Sequence, residues 1–210
     1  MEITTKILKK LLAKKYRQEF SLCILEGEKI INDNLDKIVK IFETDELKNL
    51  QTYEGRVAVA KIPTPTTPTA PFLVLDHIQD PGNMGTILRT ALAFGFKTIY
   101  TLDCVDPYSP KVIRASSGMA LQLNIIDTDF AGLPKDTLYY LADINGGKPT
   151  PIKEKNFGIV LGNEGQGLSA EMYQLPHKVF TIPMDAGCES LNVAVAGAII
   201  MCYTKFYEWT

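Results

Sequence analysis

The chain opens on a helical rhythm. Ile7, Leu8, Leu11, Leu12 and Tyr16 fall at helical spacing between residues 3 and 18, which predicts a basic amphipathic helix. Its polar positions hold Lys6, Lys9, Lys10, Lys14, Lys15 and Arg17, with no acidic residue among them. That face is either solvated or a phosphate-contacting patch. Next, SLCILEG reads as a strand, Glu26 to Leu35 as a helix, DKIVKIFET as a second strand, DELKNLQTY as a short helix and RVAVAKI as a third strand. PTPTTPTAP follows, and its prolines exclude a helix or a central strand. It is a linker or an extended crossing segment, and it marks the expected boundary between a unit of residues 1–66 and one of 67–210.

Beyond it the pattern changes. FLVLDHI is too continuously apolar to have a wet face, as expected of a buried parallel strand. A turn at DPGNMG leads into a helix over TILRTALAFG, ending at Gly95. KTIYTLD, LQLNIID, TLYYLAD, FGIVLGN and KVFTIPM read as further strands, with helical segments at SPKVIRASSGMA and SAEMYQLP. A last helix is expected from about Ser190 to the C-terminus. Strands alternating with helices predict a doubly wound, mainly parallel α/β sheet, preceded by a small α/β N-terminal domain.

Composition narrows the classes. The 210 residues are 46% hydrophobic and 22% charged, which excludes disordered and collagen-like chains. Twenty-two basic against 24 acidic residues give a net charge of −2, so nucleic acid could be held only by a local basic patch. Cys23, Cys104, Cys188 and Cys202 are too scattered for a zinc site or disulfide framework, so reduced thiols, a cytoplasmic setting and no metal are expected. The N-terminus lacks the pattern of a signal peptide. The longest apolar run, Val193 to Tyr203, is too short to span a bilayer, so no membrane partner is expected.

Ligands in such sheets bind beyond the strands' C-terminal ends, and three loops there draw attention. In LDHIQDPGNMGTILRTALAFG the helix is expected to open near Asn83 to Thr86, with amides able to hold an anion, and Arg89 in its first turns. Asn83 could instead be a simple cap and Arg89 a surface cation. FGIVLGNEGQGLS places Gly162, Gly165 and Gly167 after a buried strand, where glycine permits close backbone approach. It is neither a Walker loop nor a dinucleotide fingerprint. Glu164 within it would repel a phosphate, so the loop suits a cationic or neutral ligand, or an arginine. TIPMDAGCESLNVAVAGAII turns at Pro183 and enters a helix of small residues built for close packing. His77 could approach this region, whereas His177 falls on a surface turn.

Taken in order, these loops and SPKVIRASSGM closely resemble the SpoU (TrmH-type) RNA ribose methyltransferases of the SPOUT superfamily, over roughly residues 72 to 204. The resemblance implies a C-terminal deep trefoil knot and an S-adenosylmethionine site built largely from backbone, with Gly162, Ile182 and Leu191 at its matching positions. It implies a homodimer through the last helix and the first-motif helix, with Tyr203, Phe206 and Trp209 on an apolar face that could equally be buried within one subunit. RQEFSLCILEGEKIINDNL is similar to the family's substrate-binding domain, here abbreviated.

The implied reaction moves a methyl group from a sulfonium to a ribose 2′-oxygen of tRNA or rRNA. Arg89 matches the family's catalytic arginine. Because guanidinium does not deprotonate in proteins, it would stabilise a developing alkoxide and grip a phosphate. Asn83 and Asn192 would orient Arg89 or the ribose, and Glu164 would pair with a cation. Ser190 would bond a substrate phosphate or cap the last helix. The alternative is a non-catalytic RNA-binding or assembly factor that keeps the cofactor pocket.

Overall fold

The computed structural model describes residues 2–43, 55–146, 152–185 and 187–206. The helix expected over DELKNLQTY lies outside these residues, as do residues 207–210 with Trp209. The predicted N-terminal helix is two, α1 (Thr5–Lys10) and α2 (Lys14–Phe20), broken where Ala13 takes an extended conformation. Arg17 does not join their basic face. It is buried, donating to Leu11 O at 2.6 Å and pairing with Asp106 Oδ2 at 2.6 Å.

The first strands, β1 (Leu22–Glu26), β2 (Ile38–Phe42) and β3 (Val57–Lys61), form an antiparallel sheet in the order β1-β3-β2, with the short helix α3 (Glu28–Asn32) after β1. One face packs on Leu8 and Leu11 of the N-terminal helical segment. The other packs Leu25, Ile31 and Ala58 against Ile113 and Leu121 of the second half. The small sheet therefore completes its core on its neighbour. The proline-rich stretch is the crossing segment rather than a loose linker. Thr66 N donates to Asn124 Oδ1 at 2.8 Å, and Thr69 N to Thr98 Oγ1 at 2.9 Å.

The main sheet has six parallel strands in the order β6-β5-β4-β8-β7-β9. They are β4 (Phe72–Asp76), β5 (Thr98–Leu102), β6 (Asn124–Asp127), β7 (Leu138–Ala142), β8 (Phe157–Leu161) and β9 (His177–Phe180). Every residue of β4, β5 and β8 is buried; the mainly apolar runs of β4 and β8 are what such burial requires, and Asp76, Thr98 and Thr101 are the buried polar exceptions. One face carries α4 (Pro81–Ala93), α5 (Pro110–Ala115) and α6 (Val193–Phe206). The other is covered by Leu133, Met172 and Leu175, from or beside short 3-10 turns, where a doubly wound sheet would carry helices. The expected SPKVIRASSGMA helix stops at Ala115, because Ser117 and Gly118 both take positive φ. Among the described residues no helix is long and apolar enough to cross a membrane.

Gly85 sets how closely the helices approach. A Cβ there would stand 2.4 Å from Ala115 Cβ and 2.8 Å from Ser116 N. Gly197 of α6 similarly faces Leu161, 2.7 Å from where its Cβ would be. The small residues of both helices thus let α4 and α6 seat against the carboxyl ends of the central strands, where β4 and β8 lie side by side.

Candidate active site

A cavity of about 600 Å³ opens at the carboxyl ends of β7, β8 and β9. Its apolar wall is Leu161, Phe180, Ile182 and Ile200, and its rim is the glycine loop and the segment before α6. That volume lies within the range of small-molecule sites, roughly 300 to 1,000 Å³. Seven of the eight residues singled out from sequence line it: Asn83, Gly162, Glu164, Ile182, Ser190, Leu191 and Asn192. Arg89 does not.

The corner nearest α4 is built from side-chain amides. Asp80 caps α4, its Oδ1 accepting from Asn83 N at 2.8 Å, and Pro81 occupies the first turn. The helix therefore opens at Pro81, and Asn83 is not its cap. Asn192, rather than Ser190, caps α6, whose first residue is Val193. Asn192 Oδ1 accepts from Ala194 N at 2.9 Å and Val195 N at 3.3 Å. With its oxygen committed, Asn192 points Nδ2 at Asn83 Oδ1, 2.9 Å away. Asn83 Nδ2 must then face Glu164 Oε1, at 3.0 Å. One cap thus fixes the orientation of the whole chain of amides.

Glu164 completes it by accepting from Asp80 N at 3.3 Å and Gln79 N at 3.4 Å. Its expected cationic partner is replaced by these neutral donors, because the start of α4 offers amides that a carboxylate satisfies. Burial works to raise its pKa, but the bonds from Asn83 and these backbone amides prevail and hold it below the usual carboxylate range.

The glycine loop owes its shape to Asn163, which sequence reasoning missed. Asn163 Oδ1 accepts from Gly165 N and Gln166 N, both at 2.9 Å, while Nδ2 donates to His77 O at 2.8 Å. An asparagine followed by glycines is a legible signal for such a turn. Gly162 is required by the loop itself. A Cβ there would stand 2.5 Å from Gly167 C and 2.7 Å from Leu168 N, so backbone, not ligand space, is what it protects.

Below the loop, Asp76 is fully buried, accepting from Ser169 N at 2.7 Å, with His77 Nδ1 2.6 Å from its other oxygen. His77 is not among the cavity residues; its imidazole pairs with Asp76, and its backbone O is what meets the loop, through Asn163. His177 begins β9 rather than lying on a turn, its Nδ1 2.8 Å from Leu175 O. Tyr203 packs edge-on to Phe180 within the subunit, with ring centroids 5.2 Å apart. Leu191 precedes α6 instead of starting it.

Arg89 is the ninth residue of α4, beyond its first turns, and stands about 9 Å along the axis from Asn83. Its exposed guanidinium donates to Ser117 Oγ at 3.3 Å, on the ledge where α5 ends. Among the described residues, no cluster of His, Cys, Asp and Glu is suited to holding a metal.

Comparison with known proteins matches this architecture. A tRNA/rRNA methyltransferase of Synechocystis sp., slr1673, described as uncharacterized, is 40% identical over 147 residues, covering 65% of this chain and 53% of that protein. The 23S rRNA (guanosine(2553)-2'-O)-methyltransferase RlmP of Bacillus subtilis is 28% identical, with 94% of each chain covered. The chain thus spans about half of the first relative and nearly all of the second. An rRNA methyltransferase from Sinorhizobium meliloti, solved with AdoMet bound, shares the fold at a TM-score of 0.81 and 22% identity, with 99% of this chain and 98% of that one covered. The SpoU rRNA Methylase family model matches residues 70–202, the stretch that builds the main sheet, the cavity and the amide corner, and the chain belongs to that family.

Proposed function

We propose that the protein is an RNA methyltransferase that uses S-adenosylmethionine and methylates a ribose 2′-oxygen of a tRNA or rRNA nucleotide. The observation that carries the reading is the meeting of Asn83, Glu164 and Asn192 in one hydrogen-bonded corner of the cavity, from segments far apart in sequence. The cavity suits the cofactor. Leu161, Phe180, Ile182 and Ile200 offer an apolar surface for a purine, and the glycine loop and the segment around Leu191 offer backbone groups. Asp143 and Glu164 are its charged residues among those described, with no Lys or Arg, which suits a positively charged ligand. S-adenosylmethionine, when bound, supplies an already activated methyl group.

The chain's own residues must then orient a hydroxyl and stabilise its loss of a proton. Asn83 is locked on both sides and serves as a fixed hydrogen-bonding group beside the cavity mouth. Glu164 stays ionised and holds Asn83 and the start of α4. Ser190, on the exposed rim, is placed to bond a substrate phosphate. Arg89 grips RNA phosphate and stabilises the developing alkoxide. Its distance from the cavity fits a transfer site completed on the α4–α6 face by a second copy of the chain. Val195 and Ile199, one helical turn apart on α6, are 48% and 41% exposed there and would be covered in a homodimer. The reading extends to a C-terminal trefoil knot, and to residues 1–66 as an RNA-binding unit whose Lys6, Lys9, Lys14 and Lys15 are exposed.

The test is methyl transfer from labelled cofactor to total RNA from cells lacking the protein. The product should be a ribose-methylated nucleotide resistant to alkaline cleavage at its 3′ side. Label on a base would reassign the accepting atom, and no transfer by a folded, cofactor-binding protein would favour an assembly factor.

A further inference from the structure

The cavity holds a residue that the transfer chemistry does not use. Asp143 follows β7 directly and is anchored on every side. Its N donates to Phe180 O at 3.3 Å, its O accepts from Thr181 Oγ1 at 2.7 Å, and its Oδ1 accepts from Asn145 N at 2.7 Å. Its Oδ2 accepts from the hydroxyl of Tyr173, which comes from the 3-10 turn Ala170–Gln174 across the cavity rim. The Tyr173 ring is itself braced edge-on by His177, with centroids 5.8 Å apart. Both carboxylate oxygens are thus held in place on a residue that lines the cavity.

Its charge is also kept. Burial works to raise the Asp143 pKa, but the bonds from Tyr173 and Asn145 outweigh it and hold the group below the usual range. Burial, followed by the neighbouring carboxylate, pushes the Tyr173 hydroxyl up to about 12, so it remains a donor. Glu164 lines the other side of the same cavity and is likewise held ionised. Among the described lining residues no Lys, Arg or His offsets the two carboxylates. The segment between β9 and α6 adds Asp185 and Glu189 and no base.

Methyl transfer changes the ligand's charge. The sulfur–methyl bond breaks with its electron pair left on sulfur, the oxygen–methyl bond forms, and the ribose proton passes to solvent water. The sulfonium becomes a neutral thioether of nearly the same shape. A cavity that contacts both forms alike would hold product as firmly as substrate; one with fixed negative charge does not.

We propose that Asp143, aimed by Tyr173, is a specificity-determining residue that makes the cavity select the sulfonium cofactor over its neutral product, so that transfer itself loosens the ligand. This rests on the S-adenosylmethionine reading of the cavity. An opposite charge within about 6 Å commonly favours a charged form by a factor of ten or more.

The experiment is calorimetry at low salt on the full chain, using S-adenosylmethionine, S-adenosylhomocysteine and sinefungin, whose amine carries positive charge near the sulfonium position. The wild type should bind both cations about tenfold or more tighter than the thioether. Asp143→Asn should remove most of that preference by weakening the cations alone, with the thioether's unchanged affinity reporting an intact pocket. Tyr173→Phe keeps the charge but frees the carboxylate, and should reduce the preference by a smaller factor. Equal weakening of all three ligands in both variants would make Asp143 a structural residue and overturn the proposal, as would a wild type with no preference. A wild type that binds none of the three would overturn the cofactor reading instead.

Discussion

Helix α4 carries two sites of opposite character. At its first turn, Asn83 is clamped between Asn192 and Glu164, with every amide orientation decided by the cap of α6. At its third turn, Arg89 is exposed and donates to Ser117 Oγ at 3.3 Å. The first is held by the chain's own hydrogen bonds, while the second, under the proposed function, is organised by RNA or a second copy of the chain. Separation along one rigid helix means that cofactor binding and methyl transfer should fail independently when each end is altered.

The sharpest way to break the binding end is Gly162→Ala. The added methyl meets the backbone of Gly167 and Leu168, which cannot move without unpairing Asn163 from Gly167. Overpacking of this kind costs about 1 to 3 kcal/mol. Cofactor affinity, measured by calorimetry, should fall by roughly tenfold to a hundredfold. Unchanged affinity would place the ligand away from this loop.

A smaller effect is expected from Asn192→Ala, which removes the cap of α6 and the donor to Asn83 together. A lost cap costs about 1 kcal/mol, seen as a lower midpoint in urea. Asn83 would lose its fixed orientation as well, so cofactor affinity should fall alongside. Asn192→Asp should restore the cap but not the donor, keeping stability while leaving Asn83 loose.

Glu164 gives a pH signature. Its folded-state pKa lies below its unfolded one, so its contribution is fully present above about pH 4.5 and is lost as pH falls through the depressed folded value. The thermal midpoint of the wild type should therefore fall more steeply than that of Glu164→Gln below about pH 4.5. Parallel curves would show that the carboxylate's bonds to the start of α4 contribute nothing.

The mildest effect belongs to the N-terminal helices. Replacing Lys6, Lys9, Lys14 and Lys15 by Gln should leave cofactor affinity alone and flatten the salt dependence of RNA binding. Each lost phosphate contact removes roughly 0.7 to 0.9 from the log–log slope. An unchanged slope would make this face merely solvated.

The same contrast explains what the sequence disclosed. The central strands were readable because β4 and β8 are buried on both faces and so are apolar, save for the Asp76 that ends β4. Ser-Pro at Ser109 opens its helix where the pattern placed one, whereas Asp-Pro at Asp80, the same local signal of a capped start, was passed over when DPGNMG was read as a turn. The amide corner was legible only through resemblance, since no spacing within one segment can show that Asn83, Glu164 and Asn192 meet. Arg17 looked like one more cation on a basic face. Its ion pair with Asp106 joins residues 89 apart in sequence, a contact that periodicity cannot carry. The break at Ala13 and the early end of α5 were hidden for a related reason. Both turn on single residues in non-helical conformations within otherwise helical patterns. Asp143 was passed over because an aspartate after a strand is ordinarily a turn residue, and only Tyr173 across the rim distinguishes it.

The independence of the two ends of α4 is tested most directly on Arg89→Ala, by single-turnover methyl transfer to RNA together with calorimetric cofactor affinity. A charge that stabilises only the developing alkoxide acts on rate and not on cofactor binding. The rate should fall on the order of a hundredfold or more, by analogy with the loss of one oxyanion donor. Cofactor affinity should match the wild type, and Arg89→Lys should recover little because lysine lacks the planar fork. A near-normal rate in the alanine variant, or a rate lost in step with cofactor affinity, would contradict the division of α4 into a preorganised binding end and a separate transfer end.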